Sequence, residues 1–346
     1  MGKLQKYIDR IGRARFIMLL FLSFLVIMMI VFKLNTATIL SNMLTHISMN
    51  AFFVLAMMVT IRTGTGLNFG LPLGLIAGML AGVLSLEWEL GGWTGILAAF
   101  GMAIVFASVV GWLYGLIINK VKGSEMVVGN YIAYSFTFLM CIAWMFLPFR
   151  NSKLILVVNG YGLRTQVPIL DYYYGILDNF LSVKVFGITV PLGLLLIFAV
   201  VAFGVWLFFR TRTGIGTIMA GTNPKFAKGL GISEDRAHII GTMISSVLAA
   251  IGIIVYSQSY GYYMLYTTPK SMAFPPMAAI LIGGAAAKKA SLSNVIIGLV
   301  VYYAIITLAS PVASAIFVGD SISEPLRVVI QNGVVLYALT RIGGGE

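Results

Sequence analysis

Long apolar runs, separated by short polar stretches, fill the chain from residue 16 almost to its end. Runs of this length are typical of membrane-spanning helices, because about 20 consecutive apolar residues cover the hydrocarbon core of a bilayer. The pattern predicts ten spans, of which the third and the eighth are interrupted by glycine and proline. The predicted spans lie near residues 16–32, 42–61, 65–86, 93–119, 126–148, 190–209, 238–258, 272–287, 292–310 and 325–340.

This pattern predicts an all-α membrane protein of about ten transmembrane helices in a single polytopic domain, residues 1–346. A cut after the fifth span gives two five-helix halves. The first half, 1–188, carries an external segment at 149–189, and the second, 190–346, carries a cytoplasmic loop at 210–237. The broken segments are third in each half. Such a pair indicates a solute site where unwound backbone faces a cavity, although glycine and proline that merely allow close helix packing remain the alternative.

Composition agrees with a membrane protein. Hydrophobic residues make up 60% of the chain and charged residues 10%, and the mean hydropathy is +0.98. Soluble domains average about 25% charged residues, so a water-soluble enzyme and a disordered chain are both excluded. Cys141 is the single cysteine, which excludes an intramolecular disulfide.

The net charge of +12 has two readings: nucleic-acid binding, or basic loops that hold the cytoplasmic side of a membrane protein. With the N-terminus inside, the inner connections carry sixteen basic and five acidic residues, a net charge of +11. The outer connections carry seven basic residues, Arg327 among them, and six acidic residues, a net charge of +1. The basic excess therefore follows the topology, and nucleic acid is not expected as a partner.

Neither an ATP site nor an ion-coupling site is predicted on this chain. The phosphate-binding sequence G-x-x-x-x-G-K-[ST] does not occur, and all eleven acidic residues fall in predicted loops or at span ends. Ion-coupled carriers usually place carboxylates near the bilayer midplane. His46 in the second span could relay protons, but packing against a neighbouring helix is the favoured interpretation. No catalytic residue, metal site or cofactor is therefore expected here.

The loop at 210–237 contains the sequence MAGTNPKFAKGLGI, residues 219–232. Asn223 is a favoured helix N-cap and Pro224 a favoured first helical residue. The helix should end near Gly229 or Gly231, where glycine can adopt the left-handed conformation. A short helix between glycines at the membrane surface suits contact with a partner, although an ordinary connector fits the residues as well.

This stretch closely resembles the A-x-G-x-N-x-x-A-A-x-x-x-G-I loop of permease subunits of bacterial ABC importers for simple sugars, nucleosides and branched-chain amino acids. The residues that match are Ala220, Gly221, Asn223, Pro224, Ala227, Gly231 and Ile232. Lys228 replaces the second alanine of the usual pair. Downstream, the sequence AAILIGGA at 278–285 resembles the family's A-A-x-x-x-G-G-A segment, while Lys288 and Lys289 depart from its continuation.

The resemblance implies a transport subunit of the bacterial plasma membrane that is not itself an enzyme, with its N-terminus in the cytoplasm. It implies ATP and Mg²⁺ bound by separate ABC ATPase subunits, a second permease copy or paralogue, an extracytoplasmic solute-binding protein and surrounding membrane lipid. The alternative is an autonomous secondary carrier of a neutral polar solute. The residues expected to couple to the ATPase are Gly221, Asn223, Pro224, Ala227, Gly231 and Ile232.

The expected solute is a nucleoside or a simple sugar. Residues 64–70 lack the acid and the serine of the G-G-x-D-L-S-V-G sequence usual in sugar permeases, and SEMVVGNYIA at 124–133 resembles the nucleoside-type branch. Amino acids are less favoured, because no obvious cation in the solute path awaits a carboxylate. Polar or aromatic residues at broken or interior positions are expected to line the translocation cavity: Asn50, Asn68, Phe69, Asn130, Tyr131 and Phe274.

Overall fold

The computed structural model describes residues 13–155, 162–286, 289–317 and 320–343. Lys288 and the basic residues among positions 1–12, which were assigned to the cytoplasmic side, lie outside the described residues. Within the described residues the chain forms fourteen helices and four short strands. These are α1 (Arg13–Val31), α2 (Thr36–Thr63), α3 (Leu71–Glu87), α4 (Gly92–Lys120), α5 (Glu125–Phe146), β1 (Gln166–Pro168), α6 (Ile176–Asn179), β2 (Ser182–Val185), β3 (Ile188–Pro191), α7 (Leu192–Phe208), α8 (Arg212–Thr222), α9 (Pro224–Gly229), α10 (Glu234–Tyr260), β4 (Tyr262–Met264), α11 (Thr268–Ser271), α12 (Phe274–Ile282), α13 (Leu292–Phe317) and α14 (Asp320–Gly343).

Each of the ten predicted spans contains a helix, but not every helix is long enough to cross a bilayer. Among the described residues, five helices pass by length and hydropathy: α2, α4, α5, α10 and α13. A sixth results if α7 and α8, bent by 78° from each other, count as one span. These helices fit a multi-pass membrane protein and do not establish ten crossings.

The eighth predicted span shows why the number ten is not established. Helix α12 has nine residues, a length of about 14 Å at 1.5 Å per residue, whereas the hydrocarbon core is about 30 Å thick. Helix α12 alone is therefore too short to cross the bilayer, which fits the interruption predicted for this segment. The third segment is also shortened: its helix α3 begins only at Leu71, after the non-helical stretch 64–70.

Helix α10 forms the centre of the bundle and packs directly against α2, α3 and α4. Glycines spaced four residues apart make the close approach possible. A methyl group at Gly74 or Gly78 of α3 would lie 2.6 or 2.4 Å from a backbone oxygen of α10. At Gly111 and Gly115 of α4 a methyl group would lie 2.8 Å from an α10 Cα atom. Small residues at such spacing are typical of helix contacts within membranes.

The outward faces of several helices are apolar. Leu97 on α4, Phe146 on α5 and Val200 on α7 are each at least 60% exposed. Large apolar side chains at this exposure suit contact with lipid rather than water.

The segment after α5 forms structure that the sequence pattern does not predict. Residues 174–181 contain only the four-residue helix α6. Strand β1 pairs antiparallel with the distant strand β4, with Val167 opposite Tyr263. Strands β2 and β3 form a hairpin, with Val183 opposite Val190. The all-α fold class holds for the bulk of the chain, and these two small sheets are additions to it.

The bundle has two distinguishable ends. At the hairpin end, the backbone N–H of Thr189 in β3 donates to Ser41 Oγ in the first turns of α2 (2.8 Å). At the opposite end, here called the α9 end, Gly64 at the close of α2 lies against Gly221 of α8. Helix α10 begins beside α9 and ends at Tyr260, with Gly261 as its C-cap immediately before β4.

Candidate functional site

The predicted short helix is present at the α9 end. The Asn223 side-chain oxygen accepts a hydrogen bond from the Phe226 N–H (3.1 Å), which caps α9 at Pro224. Gly231 has a φ of 75°, and the Ile232 N–H donates to the Ala227 carbonyl (2.9 Å). The prediction of an Asn-capped helix that ends at a left-handed glycine is confirmed.

Gly221 joins this loop to α2 by direct backbone contact. A methyl group at Gly221 would lie 2.5 Å from the Arg62 carbonyl oxygen and 2.7 Å from the Gly64 nitrogen. Gly64 has a φ of 95°, a conformation that side-chain-bearing residues rarely adopt. Because no side chain separates the two backbones, a displacement of α8 would press on the end of α2.

The alanines of the motif form the inner face of the loop. Ala220 and Ala227 are fully buried, and they cluster with Ala237 at the start of α10. The outer face is different, because Phe226 and Leu230 are each 56% exposed. An apolar pair that stays exposed beside lysines at 225 and 228 is suited to a protein partner.

A groove of about 340 Å³ runs beside α9. Across it, Lys122 bridges to Asp235 (2.8 Å) and Glu234 (3.0 Å), which ties the α4–α5 connection to the start of α10. The hydrogen bonds that the Lys122 ammonium group donates to Asp235 and then to Glu234 raise the pKa of Lys122. The groove is lined by Lys122, Pro224, Lys228, Gly231, Ile232, Ser233, Glu234 and Asp235.

A second hollow, here called the inner cavity, has a volume of about 200 Å³ and lies among α2, α10, α13, α14 and the α11–α12 junction. Of the six residues expected to line a cavity, only Asn50 lines this one. The lining residues are His46, Asn50, Tyr256, Tyr260, Ser271, Met272, Pro275, Tyr302, Tyr303, Ile306, Arg327 and Gln331.

Aromatic rings form much of the wall of the inner cavity. The Tyr256 and Tyr260 ring centroids are 4.5 Å apart with an interplanar angle of 31°. The His46 ring meets Tyr260 edge-on, at 6.1 Å and 83°. Tyr302 and Tyr303 stand at 83° to each other, 5.0 Å apart. Flat apolar faces with polar edges suit a planar ring that also carries hydrogen-bonding groups.

Two hydroxyl groups in this wall stand out because nothing in the described chain satisfies them. The side chains of Tyr302 and Tyr303 are 1% and 6% exposed, and neither hydroxyl has a hydrogen-bond partner among the described residues. A buried polar group left unpaired costs about 1–3 kcal/mol. Such groups require an explanation, and a polar ligand in the cavity is one.

Arg327 also lines the inner cavity, although this arginine was assigned to an outer connection and no cation was expected in the solute path. It lies two residues inside the predicted span 325–340, and α14 begins already at Asp320, so Arg327 is within the helix, half-buried, one turn before Gln331. The sequence signal that could have found it is the amphipathic spacing of Arg327 and Gln331 at i and i+4.

The other expected cavity residues occupy different places. Asn68 is 3% exposed and bonded within the chain: its amide donates to Ser245 Oγ (2.9 Å), and its oxygen accepts from the Gly70 N–H (2.9 Å). Phe69 is half-buried beside it. These bonds hold the non-helical stretch before α3 against α10.

Asn130 and Phe274 line a separate cleft of about 10 Å³, together with Pro72 and Lys270. Tyr131 is 70% exposed on α5. The structure therefore does not bring the six expected residues together, and their part in solute passage stays a prediction.

Comparison with known proteins adds a family assignment to this geometry. A profile of the family described as branched-chain amino acid transport system / permease component matches residues 39–339. That range includes both the α8–α9 loop and the inner cavity. No solved structure matches the chain.

Curated relatives are more distant. The chain is 25% identical over 189 residues to the nucleoside ABC transporter permease protein NupB of Lactococcus lactis subsp. cremoris, a match that covers 53% of this chain and 49% of that protein. It is 31% identical over 108 residues to NupC of the same organism, covering 31% of this chain and 34% of NupC. The chain thus spans about half, or less, of the length of the relatives it matches.

Proposed function

Because the chain belongs to the family of permease components of branched-chain amino acid transport systems, we propose that it forms the translocation path of an ATP-driven importer for a nucleoside or a simple sugar. In this proposal ATP and Mg²⁺ are bound by separate ABC ATPase subunits and not by this chain. The permease sits in the bacterial plasma membrane with its N-terminus and its α9 end in the cytoplasm, beside a second permease copy or a paralogue.

The observation that carries the proposal is the construction of the α8–α9 loop. Its buried alanines fix it to α10, its exposed Phe226 and Leu230 offer an apolar contact, and Gly221 presses on the end of α2. The loop has the parts that a coupling element requires: a surface for a motor and a rigid contact with a transmembrane helix. The six motif residues, from Gly221 to Ile232, are the proposed coupling residues.

Helix α2 is the proposed connection between the coupling loop and the solute path. Its last residue, Thr63, is thirteen residues from Asn50 in the cavity wall, a distance of about 20 Å along the helix. A movement of α8 that displaces α2 would change the cavity between α2, α13 and α14. Solute would enter from the hairpin end, delivered by an extracytoplasmic binding protein, and leave at the α9 end.

A nucleoside is the favoured solute. Two of the curated relatives are named as nucleoside permeases, and the tyrosines of the inner cavity supply faces on which a base could stack. A volume of about 200 Å³ is small beside the roughly 300–1,000 Å³ usual for ligand pockets, which favours one compact solute over an oligosaccharide.

The test is co-purification followed by reconstitution. A tagged chain should retain an ATPase bearing a phosphate-binding loop, and proteoliposomes holding the complex and its binding protein should take up uridine only with ATP. Asn223→Ala removes the cap of α9 and should reduce both the retention of the ATPase and the ATP-dependent uptake of uridine. Asn223→Asp keeps a capping oxygen and serves as its control. Uptake by the chain alone, without ATP, would instead establish the autonomous carrier.

A further inference from the structure

Three arginines lie at the corner where α7 turns into α8, here called the arginine corner. Arg62, in the last turn of α2, places its guanidinium over the ring of Phe209, 4.6 Å from the centroid. Arg210 lies over Trp206 in the same way, at 3.9 Å. Arg212, the first residue of α8, is exposed two residues later. The corner thus carries three positive charges, two of which rest on aromatic rings.

These charges have no acidic partner in the part of the chain that the structure describes. No carboxylate oxygen there lies within 4.0 Å of a side-chain nitrogen of Arg62, Arg210 or Arg212. A cation–π contact uses the ring face and leaves N–H donors of the guanidinium for a further partner. Because arginine pairs with phosphate through two parallel N–H bonds, the groups presented here suit a phosphate.

The arginine corner lies at the level where α7 leaves the bilayer. Helix α7, Leu192–Phe208, contains no charged residue, and α8 is bent from it by 78°. One turn or less before the corner, Phe203 and Leu207 are 60% and 51% exposed, as expected of side chains that face lipid. Tryptophan and arginine are typical of the headgroup level of a membrane protein. The contact of Arg210 with Trp206 therefore places this corner among lipid headgroups.

We propose that the arginine corner binds an anionic phospholipid. Arg62, Arg210 and Arg212 hold the phosphate, and the acyl chains lie along the apolar face of α7 at Phe203 and Leu207. The inference requires only that the chain spans a membrane. It does not depend on which solute is transported or on the source of the driving force.

One headgroup suffices to bridge the arginines that rest on rings. Trp206 and Phe209 are three residues apart, a spacing at which side chains lie next to each other on a helix, with Cβ atoms about 5–6 Å apart. A phosphate between the two guanidinium groups that cover these rings accepts hydrogen bonds from both. Because Arg62 belongs to α2 and Arg210 to the end of α7, the lipid also ties these two helices together.

The other partner that three arginines suit is an acidic surface of a second protein. The surroundings favour lipid, because the exposed surface next to Arg210 continues into the apolar side chains of Leu207 and Phe203. A phospholipid offers an anionic group and acyl chains in that same order, and basic residues at the membrane surface each gain about 1 kcal/mol from anionic lipid. An acidic protein surface offers nothing to the apolar part.

The test is a lipid titration of the purified permease–ATPase complex, followed by native mass spectrometry. The probes are phosphatidylglycerol and phosphatidylcholine with identical acyl chains, so that only the headgroup charge differs. Water-soluble glycerol 3-phosphate is added in a third series, to distinguish a free phosphate from a lipid. The measured quantity is the ratio of the two lipid dissociation constants.

We expect phosphatidylglycerol to bind roughly a hundredfold more tightly than phosphatidylcholine, since each of three arginines contributes about fivefold. Arg210→Gln should lower this preference roughly fivefold, and the triple change of Arg62, Arg210 and Arg212 to glutamine should leave less than about twofold. Arg210→Lys keeps the charge but loses the planar fork, and should lower the preference by less than Arg210→Gln. Arg236→Gln is the matched control, at an exposed arginine of the same end of the bundle, and should change nothing.

Equal affinity for the two lipids, or a preference that survives the triple change, would overturn the inference. Displacement of phosphatidylglycerol by glycerol 3-phosphate at similar concentrations would show that a free phosphate is the ligand, and would overturn the lipid assignment. Loss of the ATPase from the triple variant with an unchanged lipid preference would assign the arginines to a protein partner instead. If the triple variant does not fold, as judged by gel filtration, Arg210→Gln decides, because this side chain is exposed.

Discussion

The sharpest consequence of the loop geometry concerns three glycines that lie within eleven residues of one another. Gly221 touches the backbone of α2, Gly231 has a left-handed φ, and Gly229 has neither feature. Both Gly229 and Gly231 have open space where a methyl group would lie. Alanine at Gly221 therefore tests the close backbone contact, and alanine at Gly231 tests the backbone conformation. Alanine at Gly229 serves as the control.

The magnitudes follow from the distances. A methyl group at Gly221 would lie 2.5 Å from the Arg62 carbonyl oxygen, where contacts below 3.4 Å are already tight. To restore an ordinary contact, α8 must move by about 0.9 Å, and overpacking against backbone costs about 1–3 kcal/mol. The methyl group of Gly231→Ala would meet no other atom. The alanine would, however, have to adopt the left-handed φ of this position, which costs about 1–2 kcal/mol. Gly229→Ala should be neutral or stabilise α9 by up to about 1 kcal/mol.

The assays separate folding from coupling. Thermal unfolding in detergent reports the stability of each variant, and substrate-stimulated ATP hydrolysis in the reconstituted complex reports coupling. Gly221→Ala should impair coupling more than Gly231→Ala at a similar loss of stability, because only Gly221 joins α8 to α2. If Gly221→Ala and Gly229→Ala gave the same stability and the same stimulated ATP hydrolysis, the contact would have no mechanical role.

Three further results are expected. Tyr303→Phe removes a buried hydroxyl that has no partner among the described residues, so the variant should unfold at a higher temperature than the wild type. A lower unfolding temperature would mean that the hydroxyl is satisfied. Burial raises the pKa of Asp178, although hydrogen bonds from Ser259 and Gln258 lower it, so the folded chain binds this proton more readily than the unfolded chain. Wild-type stability, measured against Asp178→Asn, should therefore rise as the pH falls through the raised pKa toward the ordinary 3.8, and an opposite slope would contradict the assignment. Phe226→Ala should weaken ATPase binding in a pull-down titration roughly tenfold. Lys225→Ala, on the same exposed face, should change the binding less than about threefold. Equal effects of the two substitutions would show that the apolar side chain is not part of the docking surface.

The sequence predicted the helices well, because long apolar runs carry a strong local signal. It predicted α9 and its cap as well, since Asn223, Pro224 and Gly231 act on neighbouring backbone groups. It did not predict the β1–β4 pairing, whose partners are about 100 residues apart in the chain. The interruption of the eighth segment by proline and glycine was predicted, and α12 runs from Phe274 to Ile282 with Gly283 as its C-cap.

The α8–α9 loop was foreseeable from the sequence and the inner cavity was not. The loop is one contiguous stretch, whereas the cavity combines residues from five places in the chain, which no spacing rule brings together. Asn68 illustrates the difference: a polar residue in a broken span indicated a cavity, but its bonds to Ser245 and Gly70 satisfy it inside the protein. Arg327 was counted with the outer connection because it lies at the edge of the predicted span 325–340, whereas α14 extends back to Asp320.

In the proposed mechanism the α8–α9 loop passes the force of a separate ATPase through α2 to the inner cavity. The decisive measurement is the rate at which a thiol reagent modifies Ser271→Cys, in a Cys141→Ser background, in the complete transporter with ATP trapped and without nucleotide. The rate should differ between the two states, and Gly221→Ala should abolish most of this difference. Equal rates in the two states, in a complex that hydrolyses ATP and transports uridine, would contradict it.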